Sequence, residues 1–167
     1  MRDNLTASDI KKMQEEMERR IMVDRPEILE RVKEARAQGD LSENFEYYAA
    51  KRAKNQNESR IRYLDKMIKT ANVIDDSSND DEVGINNTVT VLNLKSNQER
   101  VYKIVTTIRA DSLHGLISIE SPMGKSLLKH KVGDTVHIKV NDTIEYDVKI
   151  LNIDKSTDDS EDAIRQF

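Results

Sequence analysis

Gly39-Asp40-Leu41-Ser42-Glu43-Asn44-Phe45-Glu46-Tyr47-Tyr48 lies between two long stretches of helical periodicity, and its reading decides the fold. Gly39 supplies a helix stop. Asp40 or Ser42 supplies a new start, with Glu43 three residues after Asp40 as in a capping box. A connection this short turns the chain back on itself and predicts an antiparallel helical hairpin. A hairpin kept only for stability needs nothing more than a turn at its most exposed point. This turn instead carries Asp40, Ser42, Glu43 and Asn44, followed by the rings of Phe45, Tyr47 and Tyr48.

Upstream, Ile10, Met13, Met17, Ile21, Ile28, Val32 and Ala35 recur at heptad-like intervals and mark the buried stripe of one arm. Thr6 or Ser8 can cap its start. Pro26 removes a backbone donor inside the pattern and predicts a local kink near Arg25. Downstream, a second stripe is expected through Phe45, Tyr48, Arg52 and Asn55 and, after a register change, through Ile61, Leu64, Ile68 and Ala71. Folding about residue 40 sets Asn55-Gln56-Asn57 against Asp24-Arg25-Pro26, so both stripes turn polar at one height. Arms of about 30 residues make a rod roughly 45 Å long. A dimerisation coiled coil is the plainer reading of such a rod, and the polar, aromatic turn argues against it.

Composition agrees with a thin, two-sided architecture. Of 167 residues, 35% are charged, 37% hydrophobic and 4% aromatic, with two prolines and five glycines, and mean hydropathy is -0.72. One thick globular core cannot be filled from this, yet Leu, Ile and Val are too frequent for disorder throughout. No apolar run approaches the ~20 residues of a membrane span, and the amino terminus has no apolar signal core, so a soluble cytoplasmic protein is expected. The absence of cysteine excludes disulfides, thiolate metal sites and cysteine nucleophiles, and His114, His130 and His137 lack ligand spacing. The net charge of -4 divides into +1 over residues 1–75 and -5 over 76–167. Lys51, Arg52, Lys54, Arg60, Arg62, Lys66 and Lys69 form a basic stripe opposed only by Glu58 and Asp65. A local anionic contact fits that stripe better than general nucleic-acid coating, and a solvated helix face is the alternative.

The second half of the chain has a different pattern. Residues 76–82 read as an acidic linker, since the alternating ligands and central glycine of an EF-hand are missing. Strand-like runs follow at 88–94, 100–105, 116–120, 135–140 and 143–153, with Asn141-Asp142 as a hairpin turn. Ser121-Pro122 opens the one helix of this region, over 123–129. The predicted fold is therefore α+β: a hairpin over 1–75, and a small antiparallel sheet with one helix over 83–154. The acidic tail, 155–167, is expected to be disordered.

Over Gly39–Arg52, GDLSENFEYYAAKR resembles the tip signature of the Gre transcript cleavage factors, of GreA type. The resemblance continues through LTASDIKKMQEEM, VDRPEILERVKEARAQGD, RIRYLDKMIKTANVID, TVTVLNL, LISIESPMGKSLLKHKVGD and the closing hairpin. It implies an antiparallel coiled coil followed by an FKBP-like domain. The implied role is an accessory one: to bind bacterial RNA polymerase as a monomer, insert the coil through the secondary channel, and stimulate the polymerase's own Mg²⁺-dependent cleavage of the RNA 3′ segment in backtracked complexes. The Mg²⁺ would be shared with the polymerase and held by Asp40 and Glu43, with none bound by the isolated chain. Ser42 and Asn44 would position that pair, while Arg52, Lys54 and Tyr48 would meet the nascent RNA 3′ end. Ser121, Pro122, Met123, Gly124 and Lys125 would dock on the polymerase.

Other readings stay open at these positions. Asp40 can serve as a helix cap and Glu43 as its capping-box partner. Phe45 and Tyr48 lie on the expected stripe, where packing is the favoured reading over a nucleotide contact. The chain departs from the family pattern in its more basic Lys51-Arg52-Ala53-Lys54, in residues 106–114 and in the added acidic tail. Two alternatives follow: a channel occupant that inhibits or remodels polymerase without cleavage, and a prolyl isomerase with a helical arm. Against the isomerase, Tyr102, Tyr146 and Phe167 are the sole aromatics after residue 75.

Overall fold

The computed structural model describes residues 2–39 and 43–166 and divides into two compact units. The first comprises Ile10–Ala71 with the first two residues, the second Asp3–Asp9 with residues 72 onward. The segment 3–9, expected with the hairpin, thus folds with the sheet.

In the hairpin unit the first arm is α1, Ala7–Arg19, continued through a π-helical turn, Arg20–Asp24, into α2, Arg25–Arg36. Thr6 and Asp9 form the starting cap: the Asp9 N–H donates to Thr6 Oγ1 at 3.2 Å, and the Thr6 N–H to Asp9 Oδ2 at 3.0 Å. Pro26 falls in the first turn of α2, and the Arg25 N–H reaches back to the Arg20 carbonyl. The expected break at proline takes the form of this π turn, which shifts the hydrogen-bond ladder just where proline cannot donate. Of the predicted stripe Met13, Val32 and Ala35 are buried and Ile10, Met17, Ile21 and Ile28 half-buried, while Met22 and Val23 beside it are exposed.

The second arm is α3, Phe45–Thr70. Its far half follows expectation through buried Ile61 and Leu64. Its near half does not. Phe45 and Tyr48 are 86% and 45% exposed, Arg52 and Asn55 are exposed, and the buried stripe runs instead through Tyr47, Ala50 and Asn57 to Arg60. No register change is needed on that line. Tyr47 and Ala50 pack with Val32 and Ala35, where alanine on both arms lets the helices approach closely. Antiparallel pairing is visible in the order of cross-arm bonds: Asn44 with Ala35, Asn57 with Arg20, Arg60 with Glu16. The polar layer differs from the expected one: Asn55, Gln56 and Pro26 are exposed, Asn57 meets Arg20, Arg25 meets Glu58, and Glu16 joins Arg20 to Arg60. Arg60 is 3% exposed, so one member of the basic stripe is an internal residue rather than part of a solvated face.

The sheet unit opens with a two-stranded parallel pair, β1 (Asn4–Leu5) and β2 (Asn72–Val73). The main sheet contains β3 (Thr88–Asn93), β4 (Gln98–Val105), β5 (Leu116–Ser118), β6 (Thr135–Lys139) and β7 (Glu145–Asp154), in the order β5-β4-β3-β7-β6. Alternating residues Val89 and Val91, Val136 and Ile138, and Val148 and Ile150 form the core with Ile104, Ile119 and Leu127. The sheet was expected to be antiparallel, but β5 runs parallel to β4. The chain crosses between them through 3₁₀ turns at Thr107–Arg109 and Ser112–His114, which a hairpin connection would not need. The α-helix after β5, α4 (Pro122–Leu127), lies where Ser121-Pro122 announced it.

Two further expectations change. Residues 76–82 are joined to the sheet unit, with Glu82 bridging Lys131 and the Asn86 side-chain amide donating to Asp76. The tail is not a free extension. Asp162 pairs with Lys103 and Arg109, the Arg165 N–H donates to the Ile108 carbonyl, and Ile164 is 8% exposed.

Candidate functional site at the hairpin turn

Asn44 starts α3. Its Oδ1 accepts the Tyr47 N–H at 2.9 Å, and its Nδ2 donates to the Ala35 carbonyl at 2.6 Å. One side chain therefore satisfies an orphan donor of the new helix and ties it to a carbonyl in the last turn of the finished one, which the Gln38 N–H also reaches at 3.3 Å. The cap was expected at Asp40 or Ser42. Asn44 takes it, and Asp40 and Ser42 lie outside the described residues. A sequence signal existed: Asn44 directly precedes a helical run with Glu46 in its first turn.

Glu43, immediately before the cap, is exposed, and among the described residues no ion pair or hydrogen bond engages its carboxylate. No group of three or more His, Asp or Glu among the described residues is arranged to hold a metal. An exposed carboxylate suits a hard ion such as Mg²⁺ only where further oxygen ligands join it, because Mg²⁺ demands near-octahedral coordination.

Where α2 ends and α3 begins, the two arms carry a cationic and aromatic cluster. The Arg36 guanidinium sits 5.6 Å from the Tyr47 ring centroid, and the Tyr47 and Tyr48 rings meet edge to face at 5.6 Å. A hydrogen bond from Arg36 holds the Tyr47 hydroxyl below its ordinary pKa against the opposing effect of burial, and Lys51 and Lys54 add to the lowering. Arg52 and Lys54 are exposed, as is Tyr48. Phe45 and Tyr48 are thus free of the packing role expected for them. Arg36 and Tyr47 were missed because they face each other from different arms, which becomes visible only when the phase of α3 is fixed.

The expected docking residues prove to have structural duties. Ser121 caps α4 by accepting the Gly124 N–H at 3.1 Å, Pro122 is in the first turn, and Met123 packs against the sheet core. Gly124 is needed because a Cβ there would come 2.0 Å from the Ser118 carbonyl oxygen. Pro122 and Lys125 remain exposed.

Residues 4–73 match the family profile of the transcription elongation factor N-terminal domain, and residues 77–155 that of the GreA/GreB transcription elongation factor C-terminal domain. The transcription elongation factor GreA of Staphylococcus saprophyticus is 40% identical over 149 residues, covering 89% of this chain and 94% of that protein. GreA of Leuconostoc mesenteroides is 43% identical over 152 residues, covering 90% and 95%. Among solved structures, the GreA factor homolog 1 (Gfh1) protein of Thermus thermophilus is 24% identical with a TM-score of 0.44, covering 92% of this chain and 99% of that one.

Proposed function

Because the chain belongs to the GreA/GreB transcription elongation factor family, we propose that it is an accessory factor of bacterial RNA polymerase that stimulates cleavage of the RNA 3′ segment in backtracked complexes. The observation that carries the reading is Glu43: an exposed carboxylate without a partner among the described residues, set at a hairpin turn by a neighbouring cap. A side chain kept for stability would be expected to engage its own helix.

The chain's residues divide the work. Glu43, with Asp40, would hold a Mg²⁺ ion shared with the polymerase, because one or two added carboxylates can complete an oxygen site that neither partner supplies alone. When bound, such an ion lowers the pKa of a water and offsets charge on the phosphate in a two-metal displacement. Asn44 sets where α3 begins and therefore the direction in which the preceding carboxylate is presented. Ser42 would support the acidic pair by hydrogen bonding. Arg52 and Lys54 would neutralise phosphates of the extruded RNA, and the exposed face of Tyr48 would stack on a base. Pro122 and Lys125 would belong to the polymerase-docking surface, with Ser121, Met123 and Gly124 shaping it. A slender hairpin suits entry through a narrow channel, in keeping with the coil inserting through the secondary channel. Among the described residues no helix is long and apolar enough to cross a membrane; action on RNA polymerase would take place in the cytoplasm.

The test is to add the protein to a stalled, backtracked bacterial elongation complex carrying 3′-labelled RNA. Short labelled fragments should appear in a Mg²⁺-dependent manner, faster than from polymerase alone. Binding without fragments would replace the reading with that of a non-cleaving channel occupant.

A further inference from the structure

Four charged side chains of the sheet unit alternate in sign. Arg109 donates from Nε to Asp9 Oδ1 at 2.7 Å and from Nη1 to Asp162 Oδ2 at 2.8 Å, and Lys103 Nζ donates to both Asp162 oxygens at 2.9 Å. Asp9 and Arg109 are fully buried, and the side chains of Asp162 and Lys103 are 6% and 15% exposed. Two cations and two carboxylates leave no net charge. The Asp9 carboxylate also accepts the Thr6 N–H and the Thr106 hydroxyl, so it ties the segment 3–9 to the turn after β4.

Asp162 belongs to the tail, beyond residue 155 where the family profile ends. That tail is anchored along its length. The Lys155 ammonium is surrounded by Ser78 Oγ at 2.6 Å, the Asn79 carbonyl at 2.9 Å, and the Glu82 carbonyl and Asn87 Oδ1 at 2.8 Å. The Thr157 hydroxyl donates to the Asn86 carbonyl, Lys103 donates to the Asp158 carbonyl, and Ile164 is buried.

We propose that residues 155–166 are a C-terminal strap whose Asp162 completes this buried charge network and thereby pins segment 3–9 to the sheet unit. Without Asp162, Arg109 keeps Asp9 and the neutral Asn86 Oδ1, Lys103 loses its carboxylate, and the buried network carries a net positive charge; Arg109 Nη2 already lacks a hydrogen-bond partner among the described residues. Arg109 then has to reach solvent, and in doing so it gives up Asp9 and the bonds Asp9 organises. Segment 3–9 is held otherwise by the short β1–β2 pair, with the Asn72 N–H to the Asp3 carbonyl and the Ile74 N–H to the Leu5 carbonyl, by buried Leu5 and by the Asn4 amide donating to Glu120 Oε1 at 2.9 Å. The inference is independent of the elongation-factor reading.

Hydrogen exchange measured by mass spectrometry on the full chain, on Asp162→Asn and on a chain ending at Lys155 tests it. Asp162→Asn preserves shape and removes the charge. It should speed exchange at residues 3–9 and 106–109 by about tenfold or more while β3 and β7 keep their protection, as in local opening of a segment. Truncation should do at least as much, and should it prevent folding, Asp162→Asn decides alone. Unchanged exchange at 3–9 in Asp162→Asn overturns the proposal, even where truncation accelerates it, since the hold would then come from other tail contacts. Equal acceleration across 3–9, β3 and β7 overturns it as well, because it would mark general destabilisation.

Discussion

Replacing Asn44 separates what holds the turn from what acts there. Asn44→Ala removes a helix cap, worth about 1 kcal/mol, and the bond to the Ala35 carbonyl, worth about 1 kcal/mol more. Asn44→Asp keeps the cap acceptor but loses the donor and sets a carboxylate facing the Ala35 carbonyl. Urea unfolding followed by helical circular dichroism should therefore show losses of about 2 kcal/mol for Asn44→Ala and about 1 kcal/mol for Asn44→Asp. Both keep Glu43, so transcript cleavage reports its positioning. Activity should fall at least about tenfold in Asn44→Ala even at temperatures where the variant is fully folded, since a misplacement of about 1 Å can cost two orders of magnitude. Wild-type cleavage by a folded Asn44→Ala, together with a stability change below about 0.5 kcal/mol, would refute the claim that this side chain sets the turn.

Two further outcomes follow from the arms. Arg52→Gln with Lys54→Gln should weaken cleavage more for deeply backtracked complexes than for those backtracked by a nucleotide or two, and should flatten its salt dependence, as loss of phosphate contacts requires; an equal response of both substrates would make these residues a solvated face. Burial alone would raise the Glu16 carboxyl, but hydrogen bonds from Arg60 and Arg20 outweigh it and hold the group below its usual pKa. Its contribution to stability is thus present above the unfolded value, near pH 4.3, and is lost as pH falls through the lower folded value. In urea titrations, Glu16→Gln should therefore be less stable than the parent by about 3 kcal/mol at neutral pH, with the gap narrowing in acid, and a pH-independent gap would contradict the pairing.

Where side chains act through local pattern, the sequence was readable. The stripe from Ile10 to Ala35, the Ile61 and Leu64 positions, the five strands to within a few residues and the Ser121 cap all follow from periodicity and capping chemistry. Hydrophobicity alone places the rings of Phe45 and Tyr48 inside, which gives the near half of α3 the wrong phase. Small residues, Ala35 and Ala50, draw the arms together there and leave Phe45 and Tyr48 outside. Arg60 looks like a surface cation until Glu16, 44 positions away, is brought against it. The parallel β5 depends on a crossover without any local parallel signature. The tail carries the composition of a disordered segment, and its order comes from Arg109 and Lys103, 53 and 59 positions away from Asp162. At the tip the residue types were readable, whereas the division between cap and free carboxylate was not, since Asp40, Ser42 and Asn44 are all good cap formers.

The most direct measurement compares wild-type protein with Asp40→Ala and Glu43→Ala in one assay, scoring labelled RNA 3′ fragments from a backtracked polymerase complex and, in parallel, competition with wild-type for the complex. Carboxylates lent to the polymerase in trans require that each variant compete as well as wild-type yet release almost no fragments, with partial recovery of the single variants as Mg²⁺ is raised, because metal binding follows mass action. Either variant cleaving at the wild-type rate while bound would contradict the assignment of the tip carboxylates.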